Sequence, residues 1–224
     1  MTRLVYLVED DDGLRNALTI YLTSRGWSVQ AFRSADDFVS VPIASTPSVV
    51  LTDVNLPGIS GLELQEKKRE LCRPVPFVFI SGGLSVSDGI TAMKGGALDF
   101  LVKPVAPELL ETALEHGLIR DAEFLAGQQR ATAVASRMED LSPRERQVHA
   151  LLVRGANNTQ IMMELGISIH TAKQYKSEVL RKFEVSNLAD LIKISDRDFG
   201  LASSDNVQSA TLGGAEVAEA SSRV

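Results

Sequence analysis

Along the first half of the chain, short apolar blocks alternate with stretches of helical periodicity. Leu4 to Val8, Trp27 to Phe32, Val49 to Thr52, Val75 to Ile80 and Leu98 to Val102 each read as strands buried on one or both faces. Between them, Leu14, Ala17, Leu18, Tyr21 and Leu22 recur at helical spacing, and Gly26 sits where a left-handed cap is wanted. Ser34 can cap a short helix through Val39, and further helices are expected over about Leu62 to Leu71 and Ser87 to Lys94. Five alternations of strand and helix predict an α/β fold, a doubly wound five-stranded parallel sheet with right-handed crossovers.

The polar residues that end these strands matter more than the strands themselves. In such a sheet the carboxyl ends of strands one, three, four and five share a rim, and ligands bind at that rim. It would carry Glu9, Asp10, Asp53, Ser81 and Lys103. Pro57, Gly58 and Gly61 force a loop after Asp53, so its carboxylate stands at the edge rather than inside the strand. An isolated Asp after a strand more often starts a turn, and an acidic cluster alone is usually a solvated one. Three carboxylates together repel unless a cation joins them, and a hard, oxygen-preferring ion such as Mg²⁺ answers that problem. Lys103 supplies a positive point charge for an anion and Ser81 a hydroxyl donor. The combination reads as a metal-assisted phosphoryl site with Asp53 as acceptor.

From Leu4 to about Leu118 the chain resembles the receiver domain of two-component response regulators. The resemblance rests on VEDD with Arg15 five residues after Asp10, DVNLPGISGLEL, FISG and GALDFLVKP, in that order and spacing. It implies that Asp53 is phosphorylated by a partner histidine kinase. It also implies that Glu9, Asp10, Asp53 and the backbone carbonyl of Asn55 hold Mg²⁺, and that Ser81, Phe100 and Lys103 are switch residues. Glu9 stands where Asp is commoner in that family, and Gly83-Leu84-Ser85 replaces a frequent His-Gly-Asp.

After Pro107 another helical pattern follows, with Leu109, Leu110, Ala113, Leu114, Leu118, Ala122 and Leu125 on one apolar face, fading over Gln128 to Ser136. It predicts a linker, either a paired coiled coil or a single amphipathic helix with a flexible end. Ser142-Pro143-Arg144-Glu145 is a strong helix start, with Ser at the cap, Pro at the first helical position and Glu at the third. Gly155 and Gly166 separate short helices, and Ser168 can cap the next. In that helix Ala172, Tyr175, Val179 and Phe183 form an inward stripe, leaving His170, Lys173, Gln174, Ser177 and Arg181 on the opposite face. A polar helix face is usually only solvated, yet this is also the face a helix-turn-helix lays in a major groove.

The segment from Leu141 to about Ile194 resembles the LuxR-type helix-turn-helix, and the whole chain is similar to NarL/FixJ-family response regulators. The resemblance implies contact of Asn158, Thr159, His170, Thr171, Lys173, Gln174, Lys176, Ser177 and Arg181 with double-stranded DNA, and a homodimer when phosphorylated, its contact carried by a short helix from Asn187 to Ile194. Thr159 stands where a basic residue is common, Met162 where Ala is common and Ala172 where Val is usual. The expected domains are a receiver over 1–118, a helical linker over 119–140, a DNA-binding domain over 141–196 and a disordered tail over 197–224, rich in Ser, Ala and Gly.

Charge supports this division. The chain carries a formal net charge of −6, but Leu141 to Ile194 holds eight Lys and Arg against five Asp and Glu and is its basic segment. No stretch approaches the ~18 apolar residues of a membrane span, and a single cysteine, Cys72, cannot form an intrachain disulfide, so a cytoplasmic location is expected. The competing reading is an enzyme, a Mg²⁺-dependent phosphatase or phosphotransferase of the haloacid dehalogenase type. Such enzymes place a second Asp two residues after the nucleophile, where this chain has Asn55.

Overall fold

The computed structural model describes residues 3–71, 73–83 and 86–195, those at 86–88 by backbone alone. Cys72 and the tail expected over 197–224 lie outside the described residues. The chain divides into two compact units after Gly127.

The first unit is a five-stranded parallel sheet with strand order β2-β1-β3-β4-β5. Its strands are β1 (Leu4–Val8), β2 (Ser28–Phe32), β3 (Ser48–Asp53), β4 (Phe77–Ser81) and β5 (Asp99–Val102). Every residue of β1, β3 and β4 is buried, whereas the edge strands β2 and β5 are only partly covered. Alternate side chains feed two cores. Val5, Leu7, Val49, Leu51, Val78 and Ile80 pack against Leu22 of α1 (Asp12–Ser24) and Leu110, Ala113 and Leu114 of α5 (Pro107–Glu139). On the other face, Tyr6, Val8, Val50 and Phe79 meet Phe38 of α2 (Ala35–Val39), Leu64 of α3 (Gly61–Leu71) and Ala92 of α4 (Val86–Lys94).

The short helices begin where their cap residues place them. Asp11 accepts from Leu14 N at 2.7 Å and Ser34 from Asp37 N at 3.1 Å. Gly26, just past α1, adopts φ +82°, as a left-handed position requires. Two apolar stripes differ from the sequence pattern. Ala17 is exposed on α1. On α5, Leu109 is 60% exposed and the buried stripe is Leu110, Ala113, Leu114, Gly117, Asp121 and Leu125. Leu110, Ala113, Leu114 and Leu125 keep the expected face, and a glycine and a carboxylate that the apolar pattern does not mark complete it. Asp121 and Leu125 are buried in the unit that ends at Gly127.

α5 is helical as far as Glu139. Within the second unit Val134 and Met138 pack on a core of Leu141, Val148, Leu152, Ile161, Ala172, Val179, Phe183 and Leu191. That core joins α6 (Pro143–Val153), α7 (Asn158–Leu165), α8 (Ile169–Lys182) and a helical stretch over 188–195. Ser142 and Glu145 form the predicted reciprocal capping box. Asn157 and Gln160 form a second one that the sequence reading did not anticipate. Gly166, at φ +63°, turns the chain within three residues from α7 into α8, whose first turn is capped by Ser168.

Candidate functional site

Strand register sets the rim. Val8 pairs with Thr52, so Glu9 and Asp53 leave adjacent strands at the same level. Asp53 pairs with Ile80, Ser81 with Val102, and the Lys103 amide donates to the Ser81 carbonyl at 2.8 Å. Glu9 is 1% and Asp53 6% exposed, while Asp10 faces solvent. Carboxylate oxygens of the three lie within 4.8 Å of one another. Lys103 Nζ reaches between two of them, 2.9 Å from Glu9 Oε2 and 2.5 Å from Asp53 Oδ2.

These contacts have opposing electrostatic consequences. Burial pushes the Glu9 carboxyl up, beyond what the Lys103 ammonium can offset, and the neighbouring Asp53 charge adds to the rise. Burial alone would lower Lys103, but hydrogen bonds to Asp53 and Glu9 outweigh it and hold the ammonium above its ordinary value. One ammonium against three carboxylates leaves an excess of negative oxygen donors. That donor set fits a hard divalent cation with few protein ligands and several remaining positions.

Asp53 Oδ1 accepts the Asn55 amide at 2.8 Å, which fixes the carboxylate's orientation. The Asn55 side chain reaches Ser81 Oγ at 3.4 Å, and that hydroxyl donates to the Gly83 carbonyl at 3.0 Å. Phe100 is half-buried on β5, its ring centroid 6.5 Å from that of Phe79. Two supporting residues carry more than the sequence reading assigned them. Arg15 donates to the backbone carbonyls of Glu9 at 2.8 Å and Asp10 at 3.3 Å, holding the acidic turn. A Cβ at Gly61 would stand 2.2 Å from the Asp53 carbonyl oxygen, so the loop after Asp53 folds back only because this residue has none. Its position after Pro57 and Gly58 was visible; the close approach was not.

On α8, His170, Lys173, Gln174, Ser177 and Arg181 are exposed on one face, while Thr171 and Lys176 flank it half-buried. Some are already engaged. The Thr171 hydroxyl meets Ser168 Oγ at 2.8 Å within the cap, and Arg181 pairs with Glu178 at 2.8 Å. Thr159 is exposed and Asn158 half-buried at the start of α7. Exposed Ile169, at the first position of α8, was not anticipated. Glu145 holds the helix from behind: its carboxylate accepts from Lys182 Nζ at 2.8 Å, and that bond, together with those to Ser142, takes its pKa down to about 2.

Comparison with known proteins accounts for both units. The response regulator receiver domain family matches residues 5–115, and the bacterial regulatory proteins of the luxR family match residues 139–195. Nodulation protein W of Bradyrhizobium diazoefficiens is 37% identical over 193 residues, covering 86% of this chain and 85% of its own. The chain belongs to the NarL/FixJ family of response regulators.

This regulator is 36% identical over 199 residues to the response regulator protein TodT of Pseudomonas putida, covering 87% of this chain and 86% of TodT. Among solved structures, the response regulator StyR matches with a TM-score of 0.77 at 33% identity, covering 87% of this chain and 98% of StyR. Full-length FixJ from B. japonicum matches with a TM-score of 0.54 at 30% identity, covering 88% of this chain and 98% of FixJ. The regulator is a transcription factor with a receiver and a LuxR-type DNA-binding domain. Among the described residues, none of its helices is long and apolar enough to cross a membrane.

Proposed function

We propose that Asp53 is the phosphoacceptor of a two-component relay and that its phosphorylation controls dimerisation and DNA binding in the cytoplasm. The observation that carries this reading is the Asp53 carboxylate, almost fully buried yet at the rim, with Lys103 Nζ at 2.5 Å and two further carboxylates within 4.8 Å. A carboxylate oxygen of Asp53 attacks the phosphorus of a kinase phosphohistidine; the P–O bond forms as the P–N bond breaks, and the imidazole leaves. Glu9, Asp10, Asp53 and the Asn55 carbonyl would hold Mg²⁺, which when bound neutralises charge on the transferred group's oxygens. Lys103 would pair with a phosphoryl oxygen in exchange for its contact to Asp53. Ser81, whose hydroxyl now donates to Gly83, would turn toward the same group, leaving space into which Phe100 would move. The working domains are a receiver over 1–118, a linker over 119–140 and a DNA-binding domain over 141–196.

Treatment with a small phosphoryl donor tests this reading and separates it from the phosphatase alternative. One acyl phosphate per chain supports the switch, whereas steady phosphate release over many turnovers supports the enzyme. Asn55 disfavours the enzyme, since an amide cannot serve as the general acid that a second carboxyl would provide.

Asp10→Asn removes the exposed carboxylate of the cluster without touching Lys103. It should weaken Mg²⁺ binding by about tenfold, read from a fluorescence or calorimetric titration, because a hard anionic ligand becomes a neutral one. An unchanged titration removes Asp10 from the ligand set.

The exposed face of α8 supports base reading by Lys173 and Gln174. Each Ala variant should cost about 1–3 kcal/mol on a duplex selected from a random pool by the phosphorylated protein, and much less on random duplex. Lys176→Ala should weaken both duplexes alike, as loss of a phosphate contact does. Equal losses on both duplexes for all three variants would assign the whole face to phosphate contact.

A further inference from the structure

The stripe by which α5 meets the sheet contains a charged residue. Ala113, Gly117, Asp121 and Leu125 succeed one another at four-residue spacing and all are buried. Ala113 and Gly117 bring the helix close to β3; a Cβ at Gly117 would stand 2.7 Å from Val49 Cγ2. One turn further, the helix delivers Asp121, 1% exposed, to the amino end of the same strand. Its Oδ2 accepts the Ser48 amide at 2.8 Å and the Arg73 Nη2 at 2.9 Å, and its Oδ1 accepts Arg73 Nη1 at 2.5 Å.

Arg73 is committed in several directions at once. Besides the two-pronged pair with Asp121, it donates to the Ala44 carbonyl at 2.8 and 3.1 Å, to Pro74 at 3.0 Å and to Thr46 at 3.3 Å. The loop before β3, the loop before β4 and the helix leaving the sheet are therefore stitched by one guanidinium. A planar fork satisfies this geometry; an ammonium cannot. Breaking one side of a buried pair strands the other charge, so the arrangement holds as a unit. It lies at the opposite end of β3 from Asp53, outside the phosphoacceptor cluster.

We propose that Asp121 and Arg73 are positioning residues that clamp the start of the linker to the receiver and so set how the chain leaves it, making the DNA-binding response depend on the state of Asp53. Without the clamp, the last covered turns of α5 lose their hold on β3, and phosphorylation proceeds but is poorly transmitted. The proposal rests on the reading of Asp53 as phosphoacceptor.

The test uses the full-length protein with phosphoramidate as donor and the duplex selected by the phosphorylated wild type, at fixed salt. Asp121→Asn and Arg73→Lys should reach wild-type phosphate stoichiometry. Amide hydrogen exchange across residues 119–127 should accelerate by about a hundredfold in Asp121→Asn and less in Arg73→Lys. The phosphorylation-dependent gain in DNA affinity should fall by about tenfold. Glu115→Gln, a change on the same helix that breaks the exposed pair with Arg3 just before β1, should change none of these. Arg73→Lys decides the matter if Asp121→Asn does not fold. Unchanged exchange overturns the clamp, and accelerated exchange with a full affinity gain overturns its role in transmission. If wild-type protein acquires phosphate elsewhere or shows no gain, the reading of Asp53 fails instead, and exchange alone then decides the clamp.

Discussion

Asp53→Asn should take up no phosphoryl group from phosphoramidate, with an intact-mass spectrum identical before and after treatment, and should lose the phosphate-dependent part of DNA binding entirely. An amide oxygen is too weak a nucleophile to replace the carboxylate, so the loss is categorical. The fold should survive it. Asn has the same shape, Lys103 keeps its 2.9 Å contact with Glu9, and removal of the Asp53 charge relieves one of the influences that raises the Glu9 carboxyl. Thermal unfolding should therefore shift by no more than about 1 kcal/mol equivalent. Phosphate appearing on Glu9 or Asp10 of the variant, with normal DNA binding, would contradict Asp53 as sole acceptor.

Among the receiver's described glycines, Gly61→Ala should be the most damaging change to alanine. The new carbon would lie 2.2 Å from the Asp53 carbonyl oxygen, 3.1 Å from its carbonyl carbon and 3.2 Å from Val54 Cα. All three are backbone atoms and cannot turn aside as a side chain could. The loop that returns after Asp53 must move, breaking the 3.0 Å bond from Gly61 N to the Val54 carbonyl. The expected cost is about 2–3 kcal/mol in receiver stability. Phosphorylation should slow by about a hundredfold, because the acceptor carboxylate shifts with its own main chain. Gly89→Ala provides the contrast. Among the described residues no atom outside its own stretch of helix lies within 4 Å of its added carbon, and a helical Gly→Ala change in open space should stabilise by about 0.5–1 kcal/mol. Chemical denaturation of both variants, with phosphorylation followed by mass spectrometry, measures the pair. Equal behaviour would show that the loop has slack at Gly61.

What could be read from the sequence was what local chemistry decides. Strand ends were legible because Glu9, Asp53, Ser81 and Lys103 each break an apolar block, and helix starts because Ser34, Ser142 and Ser168 have the side chains that caps need. On α5 the face of Leu110, Ala113, Leu114 and Leu125 was legible, but its completion by Gly117 and Asp121 was not. Leucines normally mark the buried face, but here Gly117 gains its place by close approach and Asp121 by ion pairing across a long sequence separation. Pairings such as Asp121 with Arg73, or Glu145 with Lys182, depend on which elements the fold brings together, and no spacing along the chain announces them. Gly61 is a related case, since one glycine in a turn is unremarkable until the opposing carbonyl is in place.

The register of β1 against β3 also governs where this receiver can change length. Glu9 stands level with Asp53 because Leu4 to Val8 faces Ser48 to Thr52 residue for residue. An extra residue in the loop over 40–47 leaves that pairing untouched, and loop closure grows only slowly in cost with length. The same residue inserted between Leu4 and Val8 would turn every following side chain to the other face and carry Glu9 out of level with Asp53. Length variation among relatives should therefore be absent from β1 and β3, however freely the side chains there are exchanged for others of similar shape.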